Sequence, residues 1–235
     1  MLSRNITGKI NWILENLIPP VLRECRWLMY IIIWFAYGKY TKYILDFKDK
    51  YPDLTQEEIN QYYELIADAP INKKRQTDLN AACIQYILDN VKGTKVLDAA
   101  CGRGYMVEHL LAAGYETFGV DVAVSSEQEK KPEYIKGTLQ NLPFEDEAFD
   151  TVLCTHALEH IREYRQAMQE LVRVTHKRLI IVLPKQREYK YTPDLHVNFC
   201  PYLYRFKEFM NEGGIKGADC FILNGDFVCV YDKTM

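Results

Sequence analysis

The chain lacks an uncharged apolar run of the roughly 20 residues needed to cross a bilayer, so no membrane span is expected of its 235 residues. It lacks C-x-x-C spacing, and its seven cysteines (25, 83, 101, 154, 200, 220 and 229) are scattered, several of them inside apolar runs. That argues against a disulfide framework or a zinc site and points to reduced, buried thiols. It lacks a basic excess: the formal net charge is -3, which argues against nucleic acid as a partner. Internal repeats and low-complexity segments are missing, as is a small-residue cleavage site behind an N-terminal apolar core. A cytoplasmic protein is expected, with association to the inner face of a membrane left open. The length suits one sizeable core with an appendage.

What is present centres on Val96-Leu97-Asp98-Ala99-Ala100-Cys101-Gly102-Arg103-Gly104-Tyr105-Met106. It reads as a short apolar strand, a tight turn, and a helix over about 105–113. Glycine at 102 and 104 admits positive φ and lets a ligand approach the main chain. The following helix turns its free N–H groups toward that ligand. A dinucleotide fingerprint would need glycine at 107, where Val107 stands, and this disfavours a nicotinamide enzyme. Instead the strand ends in Asp98, and the next apolar run, Thr117-Phe118-Gly119-Val120-Asp121, ends in a second acid suited to a ribose diol. Further on, in order, come His156-Ala157-Leu158-Glu159-His160-Ile161, Glu170-Leu171-Val172-Arg173-Val174 and Leu179-Ile180-Ile181-Val182-Leu183-Pro184. Over about 94–231 the whole resembles the small-molecule branch of the class I S-adenosylmethionine-dependent methyltransferases. Ala100 stands where members of that family often carry a third glycine.

The resemblance implies an α/β fold: a Rossmann-like, doubly wound, seven-stranded sheet, mostly parallel with a C-terminal antiparallel hairpin. An N-terminal helical extension precedes it. It implies S-adenosylmethionine as cofactor, S-adenosylhomocysteine as product, and a small-molecule acceptor. The cofactor-binding residues it marks are Asp98, Ala100, Cys101, Gly102, Gly104, Asp121, Val122, Leu139, Gln140, Thr155 and His156. Leu139 and Gln140 fall in the family's loop between strands three and four, which wraps the adenine.

Alternation of strand and helix from residue 94 predicts a parallel sheet with right-handed crossovers. Strands are expected at 95–98, 116–121, 133–136, 151–155 and 178–183, with a weak helix over 125–130. A later helix over 202–211 precedes strands at 220–223 and 227–231, joined by Asn224-Gly225-Asp226, a strong hairpin signal. Upstream, Ile10, Ile13, Leu14, Leu17 and Ile18 recur at helical spacing until Pro19-Pro20. A second helix is expected from about 21 to 37 through an aromatic run containing Trp27 and Trp34. Residues 1–50 carry eight Lys/Arg against four Asp/Glu. Residues 10–40 therefore suit three roles: packing on the rest of the chain, lying in a membrane interface, or a homodimer contact. A capping box, Thr55-x-x-Glu58, opens a helix whose apolar face is Ile59, Tyr62, Tyr63 and Ile66. Thr77 or Asp78 is expected to cap the next helix, striped by Leu79, Cys83, Tyr86 and Ile87. The expected divisions are a basic aromatic helical extension (1–50), a helical lid (51–93) and the methyltransferase core (94–235). Tyr62, Tyr63 and Arg75 either touch ligand or, more plainly, pack or face solvent.

Methyl transfer from a sulfonium is an in-line displacement, so the protein's main work is positioning. A hydroxyl acceptor also gains from a base with pKa near neutral, which histidine supplies. His156 directly follows strand four, and His196 lies in the loop after strand five; both are candidate catalytic residues. His160 more plainly caps or packs. His156 and His160 with Glu159 lack H-E-x-x-H order and a third clear ligand, so no metal ligand is assigned, and a divalent ion is kept as an alternative. Cys101 reads as a small residue shaping the turn. The run 185–190 reads as a solvated face or a receiver for a substrate anion. The sequence thus reads as a methyltransferase acting on an oxygen of a glycan precursor, a lipid-linked acceptor or another small metabolite. Nitrogen or carbon methylation, or a non-catalytic S-adenosylmethionine-binding protein, are the alternatives.

Overall fold

A computed structural model describes residues 17–67, 69, 76–131, 133–191 and 194–233. The chain divides into two compact units: a helical unit of Met1–Asp78 with Arg187–Val197, and a sheet unit of Leu79–Gln186 with Asn198–Met235.

In the helical unit, Pro20–Arg23 forms a four-residue helix α1 and Arg26–Tyr37 forms α2. The single helix expected over 21–37 is thus broken. Cys25 has extended backbone (φ -76, ψ 105), and its N–H turns back to the Leu22 carbonyl at 3.2 Å. The helix expected before Pro19 falls on residues outside the described ones, apart from Leu17 and Ile18, which lie in a turn. Gly38 (φ 54) stops α2, and α3 follows at Thr41–Lys50, an element the periodicity missed. Gln56–Ala67 is α4, and its expected capping box forms: the Thr55 N–H donates to Glu58 Oε2 at 2.8 Å, and the Glu58 N–H to Thr55 Oγ1 at 3.3 Å. Met29 and Ile33 of α2, Ile44, Leu45 and Phe47 of α3, and Ile66 of α4 make a small core.

The sheet unit holds α5 (Ala81–Asn90), β1 (Lys95–Ala99), α6 (Tyr105–Ala112), β2 (Glu116–Asp121), β3 (Tyr134–Lys136) and β4 (Phe149–Thr155). After these come α7 (Tyr164–Val174), β5 (Thr175–Pro184), α8 (Leu203–Glu212), β6 (Asp219–Leu223) and β7 (Asp226–Asp232). The seven strands lie in the order β3-β2-β1-β4-β5-β7-β6. The first five are parallel, and β7 runs antiparallel to both β5 and β6. This is the expected doubly wound sheet with its hairpin. Asn224 and Gly225 both take positive φ (47 and 94), the mark of a type I′ turn. The expected helix over 125–130 is only a 3₁₀ turn, Gln128–Lys130.

Why the strands read as continuous apolar runs is visible in the two faces. Leu97, Val152, Cys154, Leu179 and Ile181 face the side covered by Met168, Leu171, Phe206 and Met210 of α7 and α8. Their neighbours in the strands, Val96, Leu153, Ile180 and Val182, face Cys83, Ile87, Met106 and Leu110 of α5 and α6. A parallel sheet covered on both faces needs apolar side chains at every position.

The cap of α5 differs from expectation. Neither Thr77 nor Asp78 caps it; Asn80 does, with extended backbone (φ -78, ψ 157) and its Oδ1 accepting the Cys83 N–H at 2.8 Å. Leu79 sits buried before the helix rather than in its stripe. Asn80 also donates from Nδ2 to Asp226 Oδ2 at 2.8 Å and to the Leu223 carbonyl at 3.2 Å. Asn80→Ala removes a cap and leaves a buried carboxylate short of a donor, so it should lower stability by about 2 kcal/mol. Urea unfolding followed by circular dichroism measures this; an unchanged midpoint contradicts it.

Candidate active site at the carboxyl end of the sheet

Strand order reverses between β1 and β4, and in open α/β sheets ligands bind at the carboxyl ends beside that reversal. Two segments emerge there, the glycine turn after β1 and His156 after β4. The turn is pinned to β2, because the N–H groups of Ala100 and Cys101 both donate to the Val120 carbonyl, at 2.8 and 3.0 Å. Ala100, Gly102 and Gly104 all take positive φ (67, 52 and 78). Ala100 therefore holds the left-handed conformation that explains the family's glycine there, at a cost of about 1 kcal/mol. Gly104 is required for a second reason, since a Cβ there would meet Tyr134 Oη at 2.1 Å. At Gly102 a Cβ would meet nothing within 4 Å. Cys101 is buried in the turn, and burial with the Asp98 and Asp121 charges pushes its thiol well above the usual range. It is an inert thiol, as its place in the turn suggested.

Two acids frame the turn. Asp98 is buried, paired in register with Gly119 of β2 and Leu153 of β4. Its Oδ1 has no hydrogen-bond partner among the described residues. Burial, with the Asp121 charge second, pushes its carboxyl up to about 7. Asp121 instead binds the main chain: Oδ2 accepts from Gly102 N at 2.8 Å and Oδ1 from Ala123 N at 2.9 Å. Each oxygen has a second lone pair for a further donor. Gln128, which the sequence reading passed over, donates from Nε2 to the Gly102 carbonyl at 3.1 Å and so ties the 3₁₀ turn to the glycine turn. Val122 follows Asp121 half-buried, and Thr155 is half-buried at the end of β4. Leu139 is buried with Val120 and Leu142 in the core, and Gln140 is half-buried, its carbonyl accepting from Gln166 Nε2 at 2.9 Å.

His156 occupies the other rim with φ 51, its N–H bonded to the Val182 carbonyl at 2.9 Å. Nδ1 lies 3.5 Å from Glu159 Oε1 and Nε2 lies 3.5 Å from Asp226 Oδ2. Both carboxylates are buried. Burial alone would lower the imidazole pKa, but Asp226 and Glu159 outweigh it and raise it to about 10. An imidazolium has no lone pair with which to take a proton. The two carboxylates facing the ring favour its protonated form, which holds the end of β4, over the base role expected of His156. Glu159 was visible in the motif; Asp226 read only as a hairpin residue, because nothing in the local pattern links it to His156.

His160 lies half-buried in the 3₁₀ turn Leu158–His160, its N–H on the Ala157 carbonyl at 3.0 Å. His196 belongs to the helical unit, where it is buried with Nε2 3.7 Å from Asp194 Oδ2. In that unit Tyr63 Oη donates to the Leu195 carbonyl at 3.1 Å, and Tyr62 packs on Phe47 with ring centroids 5.3 Å apart. Arg75 lies outside the described residues. Of the 185–190 run, Lys190 pairs with Asp49 at 3.2 Å.

Gly104→Ala should cost well over the roughly 1–2 kcal/mol of a left-handed alanine, because Tyr134 must also move. Gly102→Ala should cost only about that backbone term. Equal destabilisation of the two in urea would contradict the close approach at 104. The His156 ring should stay protonated at pH 8 by NMR, and its contribution to stability is complete below 6.5 and lost as pH rises through about 10. A ring that titrates near 6.5 would rule out the carboxylate clamp.

Residues 97–183 match the family model described as "Methyltransferase domain". The chain is similar to an uncharacterized methyltransferase of Bacillus subtilis, 36% identical over 90 residues, covering 34% of this chain and 36% of that protein. It is also similar to the ubiquinone biosynthesis O-methyltransferase of Rickettsia bellii, 26% identical over 111 residues, covering 40% of this chain and 46% of that protein. The matched segments thus span less than half the length of these relatives. In fold it is similar to a Burkholderia thailandensis 1,6-didemethyltoxoflavin-N1-methyltransferase, with TM-score 0.57, 19% identity, and coverage of 76% of this chain and 88% of that one. Over residues 97–183 the chain thus carries the sequence pattern of a methyltransferase domain, on a sheet unit with the strand order of a doubly wound fold.

Proposed function

We propose that the chain transfers a methyl group from S-adenosylmethionine to an oxygen of a small acceptor, releasing S-adenosylhomocysteine. The observation that carries this is the Asp98 carboxylate, buried beside the sheet's reversal point with one oxygen lacking a partner among the described residues. A buried carboxylate of that kind is costly until a donor or a cation reaches it. An amino-acid ammonium and a sulfonium supply both, so the residues present fit this cofactor. Asp98, the turn over 100–104, Asp121 with Val122, Gln140 and Thr155 would hold it. When bound, it supplies an electrophilic methyl group on a positively charged sulfur.

The chain's own contribution is order. The double pin from Val120 fixes the turn, Asp121 holds Gly102 in place, and the His156 clamp fixes the end of β4. Leu139 contributes from within the core, shaping the pocket wall. With His156 protonated, His196 is the remaining candidate to take a proton from a hydroxyl acceptor, on its place after β5 in the sequence. A relative's action in ubiquinone biosynthesis supports an oxygen acceptor on a lipid-linked or other small molecule. The toxoflavin N1-methyltransferase likeness keeps nitrogen as the second choice.

Calorimetry of S-adenosylmethionine and S-adenosylhomocysteine tests the reading. Asp121→Ala should weaken both by about 1–3 kcal/mol. Affinity should rise between pH 6 and 8 with release of a proton, because Asp98 starts near 7 and a cationic ligand favours its charged form. No binding of either compound to folded protein defeats the proposal. Binding without turnover on any acceptor leaves a non-catalytic cofactor-binding protein.

A further inference from the structure

Helix α2 in the helical unit is apolar on two opposite sides. Met29 and Ile33 are 0% and 1% exposed in the unit's core. The other side carries Trp27, Tyr30, Ile31, Trp34 and Phe35, which are 67%, 49%, 44%, 50% and 79% exposed. Their spacing (i, i+3, i+4, i+7, i+8) gathers them on one face, an arc of about 140° at 3.6 residues per turn. Single exposed apolar residues are ordinary, but a contiguous stripe of large ones marks a contact surface. Packing on the unit's own core thus accounts for one side of α2 and leaves the aromatic side to a partner.

The chemistry of the stripe identifies the partner. No helix among the described residues is long and apolar enough to cross a membrane, so α2 cannot act as a span. Trp and Tyr join an apolar body to a polar tip, which suits the headgroup boundary of a bilayer. Helix α2 contains no Asp or Glu; Arg26 at its start is paired with Asp46, and exposed Lys39 and Lys42 follow the helix. Glu24 is the only acid from Leu17 to Tyr43. Two copies paired through this face would set like charges together, whereas anionic headgroups answer them. We infer that the aromatic face of α2 is a docking surface for an anionic phospholipid bilayer, on which the helix lies in the plane of the interface. This surface is independent of the methyltransferase site, and failure of either reading leaves the other standing.

All three tryptophans, at 12, 27 and 34, lie in the N-terminal segment, so selectively excited tryptophan fluorescence reports on it alone. The full chain is mixed with vesicles of phosphatidylcholine, alone or with phosphatidylglycerol, and partition is read by flotation and by emission shift. Binding is expected to the anionic vesicles, with a blue shift and quenching by brominated lipid. It should fall about tenfold in Trp27→Ser/Phe35→Ser and severalfold in Lys39→Glu/Lys42→Glu. These residues are exposed, and circular dichroism confirms that both variants fold. The inference is overturned by absence of partition to either vesicle, or by partition that Trp27→Ser/Phe35→Ser leaves unchanged. A dimer in sedimentation equilibrium that this variant converts to monomer overturns it too, in favour of a second copy.

Discussion

One buried histidine set between two carboxylates ties the carboxyl edge of the sheet unit together. His156 stands between Glu159 and Asp226, and Asp226 is also bonded by Asn80, the cap of α5. Four parts of the chain meet there: the end of β4, the turn behind it, the start of β7 and the start of α5. A charge buried among opposite charges is strongly destabilising to break, since each partner left alone is an unpaired ion in a low dielectric. That stake explains why His156 tolerates a left-handed backbone. A histidine at the carboxyl edge of the sheet is here part of the frame.

The opposite rim has the reverse electrostatics. Asp98 is buried, and the charge that acts on it is that of another acid, Asp121. The two rims thus differ in what they ask of a ligand: one is neutralised internally, the other improves when a cation arrives. The difference follows from register, because Asp98 is flanked by Gly119 and Leu153, neither of which offers a side-chain donor.

The sheet was legible because a parallel strand covered on both faces is apolar at every position, and five such runs separated by turn residues leave few topologies. The glycine turn was legible because its dihedrals restrict residue type, and Ala100 stood out for the same reason. What escaped was set by distant partners. Asn80 took the cap from Asp78 through its own backbone angle and its bond to Asp226, neither of which has a local signature. The break at Cys25 likewise leaves no trace in hydrophobic period, since Arg23, Arg26 and their apolar neighbours continue the pattern on either side. The role of His156 could not be read either, because spacing reveals Glu159 but not the carboxylate that arrives with the hairpin.

That late carboxylate has a consequence for how the chain assembles. The antiparallel hairpin inserts β7 between β5 and β6, so this inner strand is made only after its outer neighbour β6. Until then His156 and Glu159 have met no Asp226, and the edge of β5 is open to pairing with another chain. Contacts between residues so far apart in sequence form slowly. The nascent protein therefore passes through a stage with five parallel strands, an exposed edge and an incomplete ion cluster. Synthesis of β7 both covers the edge of β5 and brings Asp226 to His156.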